Sequence, residues 1–395
     1  MTPSLHILAP VVPYPPLSGG TAHIMRTTQQ LARSYTIHFA ALAPDPVRVV
    51  WGPLAAQCAS VQAFQPTPRR GPGLAPPAVR LEYSAGMVAY ARAAWAAAPP
   101  DVVQLEFTSM AQYARLAQAT GALVVCTAHN VAFLAQVRRA RREANPRLRA
   151  RRWLGALSLW AYELRTLPQC DLVVTLSDVD AAALRRWLPR LAVEYVPSGI
   201  DLAEWPVCRD PRAADEVLFV GNYLHPPNAE GALWLAHEVW PLVQRMHPGA
   251  QLTLAGRDPP PSIRALAGPG ITVPGAVDDL RPLYARAALV AAPIFWGSGV
   301  RIKLLEALAC GLPVVSTALA AEGIDLRDGT STLFAEQPIA FATAIVRLLN
   351  DPALRAHIGQ AGRTIVERDY AAEHIGQRLA ALYAQRAQLR RAAAR

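Results

Sequence analysis

Short apolar runs alternate with longer amphipathic segments along the whole 395-residue chain, the pattern of parallel strands joined by crossover helices. In the first half the runs predict strands at 6–12, 36–42, 102–105, 123–127, 172–176 and 193–196. In the second half they predict strands at 217–220, 251–254, 271–273, 289–292, 313–316 and 332–334. Each half is long enough for its own doubly wound sheet, so the expected fold class is α/β with two Rossmann-like domains. The stretch Pro197-Ser198-Gly199-Ile200-Asp201, followed by proline-rich polar sequence to Asp215, interrupts the pattern and marks the boundary. Prolines at 66–77 read as an irregular loop within the first domain. Residues 373–391 place Leu379, Leu382 and Tyr383 on one side of an expected terminal helix. The expected division is thus 1–197, 198–370 and a closing segment 371–395.

Composition narrows the classes. Hydrophobic residues make up 52% of the chain, which excludes wholesale disorder. No run of 18 apolar residues escapes polar interruption, so no membrane-spanning helix is expected. No basic residue precedes the first apolar run, which argues against a signal peptide. The five cysteines are scattered without a Cys-x-x-Cys pair. That excludes a zinc ribbon, argues against a disulfide framework and gives a cytoplasmic location as the expectation.

Net charge is +10, and all of it lies in residues 1–198, with 20 arginines against 10 acidic residues; the remainder balances at 19 against 19. Residues 138–152 hold eight arginines against Glu143 alone. Such a segment suits nucleic acid, anionic lipid or a phosphorylated acceptor, or is simply a solvated helix face. The Trp153, Leu154, Leu157 and Trp160 that follow make an anionic membrane surface the expected partner. A nucleic-acid-binding module is the rival from another class; as one amphipathic helix the segment matches no reading head, and no nucleic acid is expected.

Several motifs bear on chemistry. Gly19-Gly20 leads from the first strand into a helix expected from about Thr21, where backbone N–H groups can approach an anion; a tight turn is the plainer reading. His129-Asn130 follows the strand at 123–127, at the strand end where open α/β sheets bind ligands; a lone histidine is also a common structural residue. Asp178 and Asp180 resemble an Asp-x-Asp metal signature, yet Ser177 just before them suits a helix cap, with both aspartates in the first turn. No acidic or histidine cluster has ligand spacing, so no metal is expected.

The strongest segment is 295–315. A strand runs into Trp296-Gly297-Ser298-Gly299-Val300-Arg301, a helix follows, and another strand begins at once. Loop amides, Arg301 and Lys303 can meet an anion at the helix N-terminus, and Glu306, one turn on, can accept from ribose hydroxyls. The plainer reading is an ordinary strand-loop-helix unit with a surface Arg and Lys. Lys303 is the chain's only lysine, and its position in this loop favours phosphate, which suits a compact point charge.

Together these residues resemble glycosyltransferase family 4, retaining enzymes of the GT-B fold with two facing Rossmann-like domains and a cleft between them. The resemblance rests on Gly19-Gly20, His129-Asn130, Val196-Pro197-Ser198-Gly199-Ile200-Asp201, Phe219-Val220-Gly221, the segment 297–315, and Ala321-Glu322-Gly323. It implies transfer of a sugar from a nucleotide-diphosphate sugar to a sugar, lipid-linked or other acceptor, with no cofactor and no metal. The second domain would bind the sugar nucleotide, the first the acceptor, and the last helix would pack back on the first. His129, Arg301, Lys303 and Glu306 would be catalytic. Gly19, Gly20, Gly221, Asn222, Gly297, Ser298, Gly299 and Val300 would bind the sugar nucleotide. In the family's Glu-x7-Glu pattern Glu306 matches the second glutamate, while Ser298 stands at the first. Asn222 and Asn228 fall near the family's pyrophosphate-clamping Arg and Lys, so Arg301 and Lys303 are the expected replacements, as in a branch reading Gly-x-Arg-x-Lys. Within the same fold, a nucleotide-sugar epimerase or a sugar phosphorylase is the alternative.

Overall fold

The computed structural model describes residues 2–68, 75–207, 215–297 and 301–393. The chain divides into two units. One comprises the chain up to Gly199 together with the segment from Ala372 onward; the other is Ile200–Ala371.

The first unit holds a seven-stranded sheet: β1 Ser4–Ala9, β2 Thr36–Leu42, β3 Ser60–Phe64, β4 Val102–Glu106, β5 Leu123–Ala128, β6 Leu172–Thr175 and β7 Val193–Tyr195, in the order β3-β2-β1-β4-β5-β6-β7. Every pairing is parallel, with Leu5 of β1 opposite both Ile37 and Val102. Alternate side chains point to opposite faces, so a strand covered on both sides reads as one apolar run. Leu5, Ile7, Ile37 and Phe39 thus pack with Ile24 and Leu31 of the first helix and with Ile375, Leu379 and Tyr383 of the last. Leu8, Leu42, Val103 and Leu105 pack with Met87 and Trp95 on the other face.

The second unit repeats the plan with β8 Glu216–Val220, β9 Gln251–Ala255, β10 Ile271–Gly275, β11 Leu289–Ala292, β12 Val314–Ser316 and β13 Leu333–Phe334, in the order β10-β9-β8-β11-β12-β13. Its faces also alternate: Val217 and Phe219 join one core, Leu218 and Val220 the other.

Three differences from the sequence reading have simple causes. β1 stops at Ala9 rather than at 12, because Pro10 brings no N–H to the ladder. β3 was not expected: its side chains are half-buried or exposed, so it carries no continuous apolar run. The first helix starts at Gly19 rather than near Thr21, because Ser18 and Thr21 cap each other's backbone N–H groups.

The last helix, Ala372–Ala393, lies along the first helix, Gly19–Leu31, within the first unit. Tyr383 is fully buried there and its hydroxyl donates to Gln104 Oε1 at 2.9 Å. Arg386 pairs with Glu194 and Arg391 with Asp101, each at 2.8 Å. Surface ion pairs contribute about 0–1 kcal/mol each, against roughly 1.5–3 kcal/mol for burying a leucine or isoleucine. Ile375 and Leu379 therefore hold this helix more firmly than its arginines do.

Candidate functional site

In open α/β sheets, ligands bind beyond the carboxyl ends of the strands where the strand order reverses. In the first unit that point lies between β1 and β4. Gly19 and Gly20 begin the helix after β1, Glu106 ends β4, and His129 follows β5. The structure brings these together. His129 is buried, its Nε2–H donates to Glu106 Oε2 at 2.6 Å, and its ring stacks on Phe107 at 3.8 Å. Gln104 Nε2 donates to the other oxygen of Glu106, and Tyr383 donates to Gln104 in turn. A Cβ on Gly20 would stand 2.9 Å from Phe107 Cζ and 3.5 Å from His129 Nδ1, so only glycine admits this approach. Phe107 itself has φ +68°, a conformation that costs a bulky residue about 1–3 kcal/mol.

His23 stands edge-on to His129 with ring centres 5.0 Å apart, and its Nδ1 meets Ser198 Oγ at 3.0 Å. Burial first, then the neighbouring His129 and Arg26, hold its imidazole well below the ordinary histidine range, so it stays neutral near pH 7. Ligand atoms of His23, Glu106 and His129 lie within 4.8 Å of one another, the one such metal-ligand grouping among the described residues. The 2.6 Å between His129 and Glu106 is a direct hydrogen bond. Two ligands bonded to one zinc-like ion at ~2.0–2.2 Å would stand about 3 Å or more apart. As arranged, His129 Nε2 and Glu106 Oε2 are bonded to each other rather than spaced about an ion.

Sequence reasoning missed Glu106, His23 and Gln104, which look like strand or helix interior until the topology aligns them. It also missed Glu163, a buried carboxylate that accepts the N–H groups of Ala132 at 3.0 Å and Phe133 at 3.3 Å. Glu163 thereby caps helix Ala132–Arg142 directly after His129-Asn130, and burial pushes its carboxyl up to about 7. Ser177 caps its helix as expected, with Asp178 and Asp180 in the first turn: Ser177 Oγ accepts the Asp180 N–H at 3.1 Å and donates to its carboxylate at 2.8 Å.

In the second unit the order reverses between β8 and β11. Gly221 and Asn222 follow β8, and the glycine-rich loop follows β11. Ser298, Gly299 and Val300 lie outside the described residues. Arg301 is the N-cap residue of helix Ile302–Ala309, and its guanidinium lies over Gly297, 3.1 Å from where a Cβ would be. Lys303 reaches back across β8. Its Nζ donates to Asn228 Oδ1 at 2.9 Å and sits 4.7 Å from the centre of the Phe219 ring. Glu306, one turn on, accepts the Tyr284 hydroxyl at 3.2 Å. Burial, and then Arg301, draw the Lys303 amine down to about 7, with Glu306 acting the other way. Arg301, Lys303, Asn222 and Gly221 thus gather at one end of one sheet, together with an asparagine that the sequence marked only as a neutral replacement.

Comparison with known proteins follows the same division. Residues 17–204 match the model for Glycosyltransferase Family 4, and residues 214–351 the model for Glycosyl transferases group 1. The phosphatidyl-myo-inositol mannosyltransferase of Mycobacterium leprae is 34% identical over 199 residues, covering 47% of this chain and 52% of that one. A 44.6 kDa protein of the Klebsiella pneumoniae cps region is 27% identical over 184 residues, 44% of this chain and 46% of that one. The chain spans about half the length of these curated relatives. Among solved structures, sucrose-phosphate synthase from Thermosynechococcus elongatus superposes with a TM-score of 0.77 at 21% identity, covering 97% of this chain and 98% of that one. Anabaena HepE in complex with UDP-glucose gives 0.69 at 15% identity, covering 96% and 99%. With two doubly wound parallel sheets, family-model matches in both units and GT-B neighbours over nearly its whole length, the chain belongs to glycosyltransferase family 4.

Proposed function

We propose that the protein transfers a sugar from a nucleotide-diphosphate sugar to an acceptor, with retention of anomeric configuration and without a metal ion. The reading rests chiefly on the convergence of Arg301 and Lys303 at the switch point of the second sheet. In the reaction, the bond from the anomeric carbon to the β-phosphate oxygen breaks and a bond to an acceptor hydroxyl oxygen forms. The acceptor's proton leaves to a phosphate oxygen or to solvent. Negative charge grows on the β-phosphate, so preorganised cations and amides there lower the barrier. Arg301, Lys303 and the loop 297–300 supply them on this reading, and Glu306 orients the ribose. His129, held by Glu106, serves the acceptor on this reading.

The acceptor unit has a feature that supports work at an anionic membrane surface on the cytoplasmic side. Helices Ala132–Arg142 and Pro146–Thr166 carry the arginine-rich segment, and Leu148, Trp153, Leu154 and Leu157 on the second of them are exposed. No helix among the described residues is long and apolar enough to cross a membrane, so contact on this reading is peripheral.

A thermal-shift panel of nucleotide sugars tests the reading directly. A bound sugar nucleotide at 100 times its Kd adds about 2.7 kcal/mol of stability. Turnover of the best ligand is expected to persist in excess chelator, and proton NMR of the product should show the starting anomer. Loss of turnover on chelation, restored by magnesium or manganese, would remove the metal-free mechanism. Release of the epimerised nucleotide sugar, or of sugar phosphate from added phosphate, would instead favour the epimerase or phosphorylase.

A further inference from the structure

We propose that Asn228 is the positioning residue of the phosphate site, holding the Lys303 amine by a neutral oxygen so that its positive charge is left for the diphosphate of a nucleotide. This rests on the donor-site reading above and adds a residue and a reason to it. Asn228 lies in the first turn of helix Pro226–Trp234. Its carboxamide is pinned at both ends: Nδ2 donates to the Asn222 carbonyl at 2.8 Å, and Oδ1 accepts from Lys303 Nζ at 2.9 Å. Turning the amide over would set carbonyl against carbonyl and N–H against ammonium, so its orientation is fixed. The backbone makes room for this. A Cβ on Gly221 would stand 2.9 Å from Asn228 Cβ, and the following Asn222 uses its own Oδ1 to accept the Leu224 N–H at 3.0 Å.

The choice of amide over carboxylate is the point. Beside the lysine amine, Phe219 of β8 presents its ring face, 4.7 Å from Nζ to the ring centre. Arg301 adds a second positive charge, and Tyr284 donates to Glu306, the carboxylate one turn along the lysine's own helix. Burial and Arg301 make the protonated amine costly, which is why its pKa stands near 7. An incoming diphosphate adds to the pull of Glu306 and stabilises the ammonium further. An aspartate at 228 would fill that place with almost no change in shape, and the phosphate would then compete with a resident anion.

The test compares the wild type with Asn228→Asp and Asn228→Ser, measuring UDP, ADP and GDP affinity by calorimetry from pH 6 to 9. In the wild type, affinity for the preferred diphosphate should fall as pH rises through about 7 to 8, as the lysine loses its proton. Asn228→Asp should bind roughly 10–100-fold more weakly at pH 6, where the amine is charged in both proteins. Its decline with pH should begin at higher pH, because the new carboxylate holds the proton on the lysine. Asn228→Ser, which keeps a neutral oxygen, should retain the wild-type pH dependence. A purely structural asparagine would lower the melting temperature of both variants and leave the pH dependence where it was. Wild-type-like affinity and pH dependence in a folded Asp variant overturns the role of Asn228 alone. Failure of the wild type to bind any nucleoside diphosphate overturns the donor site itself, and this assignment with it.

Discussion

Lys303 shows how far one side chain is determined by its surroundings: a ring below it, an amide oxygen beside it and an arginine nearby. Removing it should be felt in the transition state, where the leaving diphosphate carries most charge. Lys303→Ala should lower kcat/KM by roughly 10²–10³, the range for losing one preorganised charge-stabilising group. Lys303→Arg should restore only part, because a planar fork cannot share the Asn228 oxygen in the same geometry. Glu306→Gln should raise KM more than it lowers kcat, since ribose contacts change little as the reaction proceeds. Near-normal turnover in a folded Lys303→Ala protein removes the phosphate assignment. A second residue-scale expectation concerns His6, whose Nδ1 accepts the Trp95 indole N–H at 3.0 Å. Burial, then His38, lowers its pKa to about 4 from an ordinary 6.5. The unfolded chain therefore binds a proton that the folded one refuses. Its contribution, about 3 kcal/mol by linkage, is present above pH 6.5 and is lost as pH falls toward 4. Denaturant titrations of His6→Asn, which keeps an acceptor for the indole, should show a shallower loss of stability across that window.

At the scale of elements, two glycines inside helices make opposite predictions from the same chemistry. Gly155, in helix Pro146–Thr166, has nothing within 4 Å of the place a methyl group would take, so Gly155→Ala should gain roughly 0.5–1 kcal/mol of helix propensity. Gly376, in the last helix, lies where a Cβ would overlap Gln30 Cβ on the first helix. Gly376→Ala should therefore cost about 1–3 kcal/mol, overpacking outweighing propensity; urea midpoints of the two variants should move in opposite directions. The sequence revealed most elements because parallel strands buried on both faces are nearly continuous apolar words, as along β5 from Leu123 to Cys126. β3 was illegible because an edge strand need satisfy only one neighbour. The loop proposed to hold phosphate drew attention in the sequence through one rare residue, Lys303. Glu106 and Asn228 were not. The first owes its role to strand order, and the second to a helix start 75 residues from Lys303, which no local spacing reports.

For the whole molecule, charge asymmetry gives the first expectation. The first half carries the entire net +10, and its arginine-rich helices also expose Trp153, Leu154 and Leu157. Flotation should recover the protein with vesicles containing phosphatidylglycerol, less so at high salt; equal recovery on neutral vesicles would remove the electrostatic surface and favour a soluble acceptor. The other whole-molecule feature is the return of helix Ala372–Ala393 to the first unit. The second unit is thereby an insertion between two parts of the first. On the ribosome the order of completion is reversed from the order of synthesis: Ile200–Ala371 has all its strands while the first sheet still lacks Ile375, Leu379 and Tyr383 over one face. A nascent chain at that stage offers Leu5, Ile7 and Phe39 to chaperones rather than to its own helix, and Gln104 waits for the Tyr383 hydroxyl. The hydrogen-bonded network behind His129 is therefore finished only after the whole second unit has been made, so a product cut short at Ala371 lacks the Tyr383 hydroxyl that completes it.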